Sequence, residues 1–278
     1  MRKTIVSSLL FIAVILFLLV YQHFNESTKI VYRAPIPTIA APTPFDPFPY
    51  NPPEIPHSQS YRTLLVGDSM VAAFGLNAEP LRQVLLSYYP DNEFVNYNYG
   101  FPSTNILSLP DRLSKETVSL GQTYQSILSQ GFDLIIIESF AYNPLSEMSL
   151  LDGLEKQNEI LETVVLKLIK KRPETVIAFM TPIAPSKSTF AKNVFDLSDA
   201  ERLLWVEERV SFIKNHIKFA KDNNIPLIDV YEKSLTENGD GDTKYINSDD
   251  NIHPSNEGID LMAKTIAQFV FEHQIFPN

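Results

Sequence analysis

Two short polar segments contain the residue types that acyl transfer by a serine requires. Ser69 follows Gly67 and Asp68 at the end of an apolar run, and Asp250 precedes His253 by three positions. A carboxylate at that spacing can hold one nitrogen of an imidazole and leave the other free, and such an imidazole activates a hydroxyl that is otherwise a weak nucleophile. Each segment alone is also typical of a helix cap, because Asp and Ser are favoured at helix N-termini. Only the combination indicates nucleophilic catalysis.

The elements that would position these segments follow from the apolar pattern. Short β-rich runs predict five strands, at Arg62–Val66, Phe94–Asn98, Leu134–Glu138, Val176–Met180 and Leu227–Val230. Longer periodic segments predict helices around Pro80–Tyr88, Leu120–Ser129, Leu154–Lys171, Ala200–Asn223 and Asn256–Glu272. This alternation predicts an α/β domain with a parallel sheet covered on both faces. Ligands of such sheets bind beyond the carboxyl ends of the strands, which is where Ser69 lies.

The fourth predicted helix has a recognisable apolar face. Its apolar residues recur at spacings of three and four, at Leu203, Val206, Val210, Ile213 and Ile217. His216 lies in the same helix, and the pattern predicts a surface or boundary position for it instead of a ligand role.

A Gly-Asp-Ser after the first strand and an Asp-x-x-His-Pro before the last helix together mark the SGNH (GDSL-like) hydrolases, which the sequence resembles over about residues 61–276. The resemblance implies a three-layer α/β/α sandwich of flavodoxin-like type with a five-stranded parallel sheet. It also implies a triad in which Ser69 is the nucleophile, His253 the general base and Asp250 the residue that orients the base. The family's chemistry requires no metal or organic cofactor.

Two further segments match the oxyanion blocks of this family. The segment after the second strand matches its Asn-x-Gly block, which implies that the Gly100 N–H, with the N–H of Ser69, binds the oxyanion. After the third strand, Asn143 falls on the family's Asn position, and its side-chain amide would be the third donor. Ala141 replaces the usual glycine of this block and Pro144 replaces the usual aspartate.

The resemblance implies a serine esterase that acts on an acyl ester, with O-acetyl groups of a surface glycan or acyl groups of a lipid as candidate substrates. An O-acyltransferase would use the same residues, and a binding module without turnover would keep the same fold. An α/β-hydrolase is disfavoured, because Val71 stands where its nucleophile elbow needs a second glycine. Glu138, at a predicted strand end near the site, has no role in any of these schemes.

The first 57 residues predict attachment to a membrane. After a cytoplasmic N-terminus of residues 1–3, which contains Arg2 and Lys3, residues 4–21 carry no charge and would form a helix of roughly 27 Å, enough to span a bilayer. A cleaved signal peptide is the alternative, although bulky residues follow the apolar run. Residues 22–57 are rich in proline and predict an extended spacer outside the membrane, leaving a hydrolase domain of residues 58–278.

Composition excludes several classes of function. The chain of 278 residues contains no cysteine, so disulfides, thiolate metal sites and a cysteine nucleophile are excluded. Its net charge of −10 argues against a nucleic-acid partner, because phosphate binding needs a basic surface.

Overall fold

The structure is a computed structural model that describes residues 50–277. The predicted cytoplasmic N-terminus (1–3), the predicted membrane segment (4–21) and most of the predicted spacer (22–57) lie outside the described residues. Within residues 50–277, no helix is both long and apolar enough to cross a bilayer.

Strands and helices alternate along most of the chain. In chain order the elements are β1 (Ser60–Gly67), α1 (Ser69–Ala72), α2 (Glu79–Tyr88), β2 (Glu93–Gly100), α3 (Leu109–Ser114), β3 (Thr117–Ser119), β4 (Gln122–Tyr124), β5 (Leu134–Glu138), α4 (Leu150–Lys171), β6 (Val176–Met180), α5 (Asp199–Asp222), β7 (Leu227–Ile228), α6 (Val230–Lys233) and α7 (Asn256–Glu272). Single 3-10 turns occupy Ile106–Ser108, Ile127–Ser129 and Thr243–Tyr245.

The five predicted strands form one parallel sheet in the order β2-β1-β5-β6-β7, as the alternation predicts. Helices α2 and α7 pack on each other over one face, while α4 packs against α3 and α5. Alternate residues of each strand point to opposite faces. Leu65 and Ile136 accordingly join the core formed with α2 and α7, whereas Phe179 stacks against His216 and Phe219 of α5 on the other face. The three-layer α/β/α architecture is confirmed.

The prediction of a helix over Leu120–Ser129 is wrong. The chain forms a hairpin of β3 and β4 here, followed by the turn at Ile127–Ser129. Leu120 and Gly121 connect the two strands with φ angles of 49° and 76°, a left-handed pair that an α-helix does not contain. The last strand is also shorter than predicted, because Asp229 accepts a hydrogen bond from the Glu232 N–H and begins α6.

The buried face of α5 differs from the predicted one. Val206 and Ile213 are buried, but Leu203 is 39% exposed. His216, predicted at the surface or boundary, is fully buried, with its ring 4.3 Å from that of Phe179. Burial lowers the pKa of His216 to about 3, so the ring is neutral near pH 7.

Candidate active site

The turn that carries Ser69 comes directly after β1 and is shaped by a helix cap at Asp68 and by close packing at Gly67. Asp68 is the N-cap of α1, and its Oδ1 accepts the Met70 N–H at 2.8 Å. Gly67 is required by close packing more than by its backbone freedom: a Cβ there would lie 2.4 Å from Val71 Cγ2 and 2.9 Å from Glu138 Cβ. Ser69 is the first residue of α1 and is partly exposed, at the carboxyl end of a central strand.

Asp250 and His253 are in direct contact. His253 Nδ1 lies 2.7 Å from Asp250 Oδ2, and Asp250 Oδ1 accepts the N–H groups of Ile252 at 2.8 Å and His253 at 3.0 Å. Burial alone would raise the pKa of Asp250, but these hydrogen bonds outweigh it and the pKa is lowered. Asp250 is therefore ionised near pH 7 and holds the imidazole by one nitrogen. Nε2 of His253 has no hydrogen-bond partner among residues 50–277.

His253 and the Ser69 turn belong to the same electrostatic environment. Burial raises the pKa of Asp68, the neighbour of Ser69, and the charge of His253 is among the smaller influences that oppose this rise, so the ring and the Ser69 turn interact electrostatically. No hydrogen bond joins Ser69 to His253 in this part of the chain. Such bonds in free enzymes are often long and tighten only when substrate binds.

Asn143 is held against the turn that carries Ser69. Its Nδ2 donates to Asp68 Oδ2 at 3.0 Å, which leaves its second amide hydrogen unpaired within the described chain. The loop that carries it turns sharply, because Phe140 has a φ of 57° and its carbonyl accepts the Asn143 N–H at 3.1 Å. Asn143 thus reaches the Ser69 turn although the residues around it differ from the usual family block.

Gly100 does not have the free N–H that the sequence resemblance implies. This N–H donates to the Asn98 side chain at 2.8 Å. Glycine is needed here for another reason, because a Cβ would lie 2.2 Å from the Ala72 backbone nitrogen.

Ser103, which no sequence motif indicated, has a left-handed φ of 57° and lines a cavity of about 380 Å³ together with Asn143. Its N–H has no partner among residues 50–277.

A buried carboxyl, Glu138, lies beneath the turn that carries Ser69. It is 0% exposed and accepts hydrogen bonds from the Ser139 hydroxyl at 2.7 Å and the Phe140 N–H at 2.8 Å. Burial and the negative charge of Asp68 raise the pKa of Glu138 well above its usual value. Asp68 is equally buried, and burial also raises its pKa, although hydrogen bonds from Met70 and Asn143 oppose the shift.

A buried arginine, Arg112, braces the same region from α3. Its Nη1 donates to the carbonyls of Gly67 at 2.8 Å and Tyr99 at 3.1 Å, joining the ends of β1 and β2. The guanidinium lies 4.2 Å from the ring centroid of Phe101 and 5.2 Å from that of Phe140. Burial lowers the pKa of Arg112 to about 10, so it still carries a positive charge near pH 7. The sequence offered no signal for this residue, because α3 is too short to show a periodic pattern.

Comparisons with known proteins bear on the fold. No protein-family model matches the chain, and no match is found among curated proteins. Solved structures do match. One, from Parabacteroides merdae ATCC 43184 and assigned to the GDSL-like lipases, has a TM-score of 0.56 and 17% identity, and the match covers 81% of this chain and 100% of that one.

Two further solved structures are similar. A GDSL-like lipase from Bacteroides thetaiotaomicron has a TM-score of 0.51 and 13% identity, and the match covers 77% of this chain and 89% of that one. A variant of an acetyl-xylooligosaccharide esterase from Geobacillus Stearmophilus has a TM-score of 0.51 and 16% identity, with coverage of 76% and 94%. The chain from Ser60 to Glu272 therefore has the fold that these GDSL-like lipases and this acetyl-ester hydrolase share.

Proposed function

We propose that this protein is a membrane-anchored, extracytoplasmic serine esterase of the SGNH type that hydrolyses an acyl ester. The observation that carries the proposal is the 2.7 Å contact between Asp250 and His253, together with the electrostatic influence of His253 on Asp68, the neighbour of Ser69. An ionised carboxylate on Nδ1 leaves Nε2 to act as a base toward a hydroxyl. The shared fold with GDSL-like lipases supports the same reading.

In the proposed reaction, Ser69 Oγ attacks the ester carbonyl carbon while His253 Nε2 accepts the hydroxyl proton. The tetrahedral intermediate expels the alcohol, which takes that proton from His253, and the acyl group remains on Ser69. Water then attacks the acyl-enzyme, gives its proton to His253 and releases the acid, after which the proton returns to Ser69. Asp250 stays ionised throughout and keeps the imidazole in the required tautomer.

The oxyanion would be bound by donors that are unpaired in the described chain. These are the Ser69 N–H at the start of α1 and the second amide hydrogen of Asn143. Ser103 is a further candidate beside Gly100, because its N–H is unpaired among residues 50–277 and it shares a cavity with Asn143. Donors held in place before the reaction stabilise the developing charge without further reorganisation.

The proposed location and substrate class come from the chain outside the described residues. An apolar segment at 4–21 after Arg2 and Lys3, followed by a proline-rich spacer, favours a domain held outside the membrane. Esters at the cell surface would then be within reach, and O-acetyl groups on a glycan are our proposed substrate. The similar structure from Geobacillus Stearmophilus is described as an acetyl-xylooligosaccharide esterase, which supports this class, whereas the similarity to GDSL-like lipases keeps an acyl lipid as the alternative substrate.

Turnover of 4-nitrophenyl acetate by the full chain in detergent, compared with its Ser69→Ala variant, tests the proposal. We expect the rate to fall by about 10⁵-fold or more in Ser69→Ala, since removal of a serine nucleophile abolishes the acyl-enzyme route. Ser87→Ala, at an exposed position on α2, is the matched control and should retain full activity. Mass spectrometry of a brief reaction should find the acetyl group on Ser69.

The same assay separates the rival functions. An acyltransferase would release free acid slowly and would transfer the acetyl group when a sugar acceptor is added. A binding module would be folded and inactive in both the wild-type and Ser69→Ala proteins. Equal rates in these two proteins, with circular dichroism indicating that both are folded, would sink the esterase proposal.

A further inference from the structure

A groove crosses the outer edge of the sheet. Strand β2 is the edge strand, and the groove runs over it, from the loop after α1 to the β3–β4 hairpin. Its volume is about 300 Å³. The lining residues are Leu76, Asn77, Tyr97, Asn98, Tyr99, Gln122, Thr123, Tyr124, Gln125 and Gln130.

The chemistry of this lining is unusual for the chain. A fifth of all residues are charged, yet the groove is lined by none of them. Its polar groups are neutral amides and hydroxyls, which both donate and accept hydrogen bonds, and they are interleaved with three tyrosine rings. An ionic ligand would find no counter-charge here. A neutral chain with many hydroxyls and apolar C–H faces matches both kinds of surface, because tyrosine offers a flat apolar ring with a polar end.

One wall of the groove is held in place and another part is free to bind. Tyr99 packs edge-on against Tyr124, with ring centroids 5.2 Å apart, and its hydroxyl donates to the Gln125 carbonyl at 3.0 Å. By contrast, the partly exposed Tyr97 makes no ring contact, and neither its hydroxyl nor the side chain of Asn77 has a hydrogen-bond partner among residues 50–277. The fixed wall needs little ordering on binding, and the unpaired groups of Tyr97 and Asn77 are available to a ligand.

The groove is built on the segment that follows the nucleophile. Asn98, on its floor, donates to the carbonyls of Val71 at 2.9 Å and Gly75 at 2.8 Å. Its Oδ1 accepts the Gly100 N–H, so one amide joins β2 to α1 and the following loop. The same loop continues into Asn77, which lines the groove. Ser69 is the first residue of α1, and the groove and the nucleophile therefore share one rigid support.

We propose that this edge groove binds sugar units of an uncharged oligosaccharide, and that the ester cleaved at Ser69 is carried by that chain. The inference rests on the proposed esterase function and adds to it a neutral-glycan substrate class and a binding site. Tyr97 would stack on the apolar face of a sugar ring, while Asn77 and Gln130 would bind its hydroxyls.

The test is calorimetric titration of the full-length Ser69→Ala protein in detergent with xylohexaose, cellohexaose and the anionic hexagalacturonate. We expect a neutral oligosaccharide to bind, and hexagalacturonate to bind more weakly or not at all. Tyr97→Ala in the same background should weaken neutral binding by about tenfold, the loss of one stacked ring. Tyr88→Ala removes a partly exposed tyrosine on α2 that packs on Phe271 at 4.9 Å, and it should bind like the parent.

Asn77→Ala, in an exposed loop, keeps the test decisive if Tyr97→Ala does not fold. The proposal is overturned if no neutral oligosaccharide binds, if the anionic one binds best, or if Tyr97→Ala and Asn77→Ala bind like Tyr88→Ala. Wild-type turnover of 4-nitrophenyl acetate is measured separately. Turnover without Tyr97-dependent binding would overturn only the groove, whereas Tyr97-dependent binding without turnover would support the groove as a glycan site and overturn the esterase.

Discussion

Three acidic residues of the candidate site differ in their exposure to solvent. Asp250, which we call the rim carboxylate, has a side chain 25% exposed and contacts His253. Asp68 and Glu138, the floor carboxyls, are both 0% exposed beneath the Ser69 turn. The pKa of the rim carboxylate is lowered by hydrogen bonds that outweigh its partial burial, while burial raises the pKa of both floor carboxyls.

In the proposed mechanism, this difference separates the chemical role of Asp250 from the supporting role of Asp68 and Glu138. A charged carboxylate near solvent can hold an imidazole that gains and loses a proton during turnover. Fully buried carboxyls resist ionisation, and their oxygens instead accept the N–H and O–H groups that shape the loops around Ser69. Substitution of the rim carboxylate should therefore lower activity directly. Substitution of the floor carboxyls should change the geometry of the loops around Ser69 and the pH dependence of stability.

The largest effect is expected at the rim. Asp250→Asn should lower kcat/KM for 4-nitrophenyl acetate by about 10⁴-fold, because an amide can no longer favour the tautomer with Nε2 free to act as base. Thermal unfolding should change little, since the amide oxygen can still accept the N–H groups of Ile252 and His253. Asp249→Asn, at the exposed neighbouring position, is the control and should behave like the wild type. A loss of less than tenfold would place Asp250 outside the reaction.

A smaller effect on activity is expected from the floor residue next to the nucleophile. In Asp68→Asn, the amide oxygen can still accept the Met70 N–H. The amide nitrogen would then face Asn143 Nδ2, and it cannot accept the hydrogen bond that the carboxylate oxygen of Asp68 accepts in the wild type. Asn143 would lose its anchor, and we expect kcat/KM to fall by about 10²-fold, the scale of one misplaced oxyanion donor. Asn143→Ala should reach a similar rate, and the double variant should not be much slower than either one. Additive losses would contradict a shared role.

The smallest effect on activity, and a measurable one on stability, is expected at Glu138. A raised folded pKa means that the native protein keeps this proton after the unfolded chain has lost it, near pH 4.5. Wild-type stability is therefore lost as the pH rises from there toward the folded pKa, by up to about 1.4 kcal/mol per pH unit. Glu138→Gln removes this titration, and the amide can still pair with Ser139 and Phe140.

Urea unfolding of wild type and Glu138→Gln at pH 4.5 and pH 7.5 measures this difference. The variant should gain stability relative to wild type as the pH increases, with kcat/KM nearly unchanged at pH 7.5. A stability difference that is the same at both pH values would show that Glu138 titrates normally in the folded protein.

Local pattern predicted most of the fold and part of the site. All five strands and four of the five predicted helices were recognised because their apolar periodicity is strong and continuous. The predicted helix at Leu120–Ser129 failed, because a left-handed Leu120–Gly121 turn overrides an apolar pattern that also fits a short helix. The motif at Gly100 predicted a position of close backbone packing, which the structure has, but the partner of its N–H, the Asn98 side chain, is a feature that the motif does not specify.

The sequence by itself predicted the α/β alternation and made a contact between Asp250 and His253 possible, because residues three apart can meet where the chain between them turns. Only the tertiary structure decided which groups surround Ser69. Arg112 and Glu138 reach the nucleophile turn from positions 45 residues or more along the chain from Gly67. Their effect depends on burial, which strengthens charge interactions and shifts pKa values, and burial is a property of packing that no local sequence pattern contains.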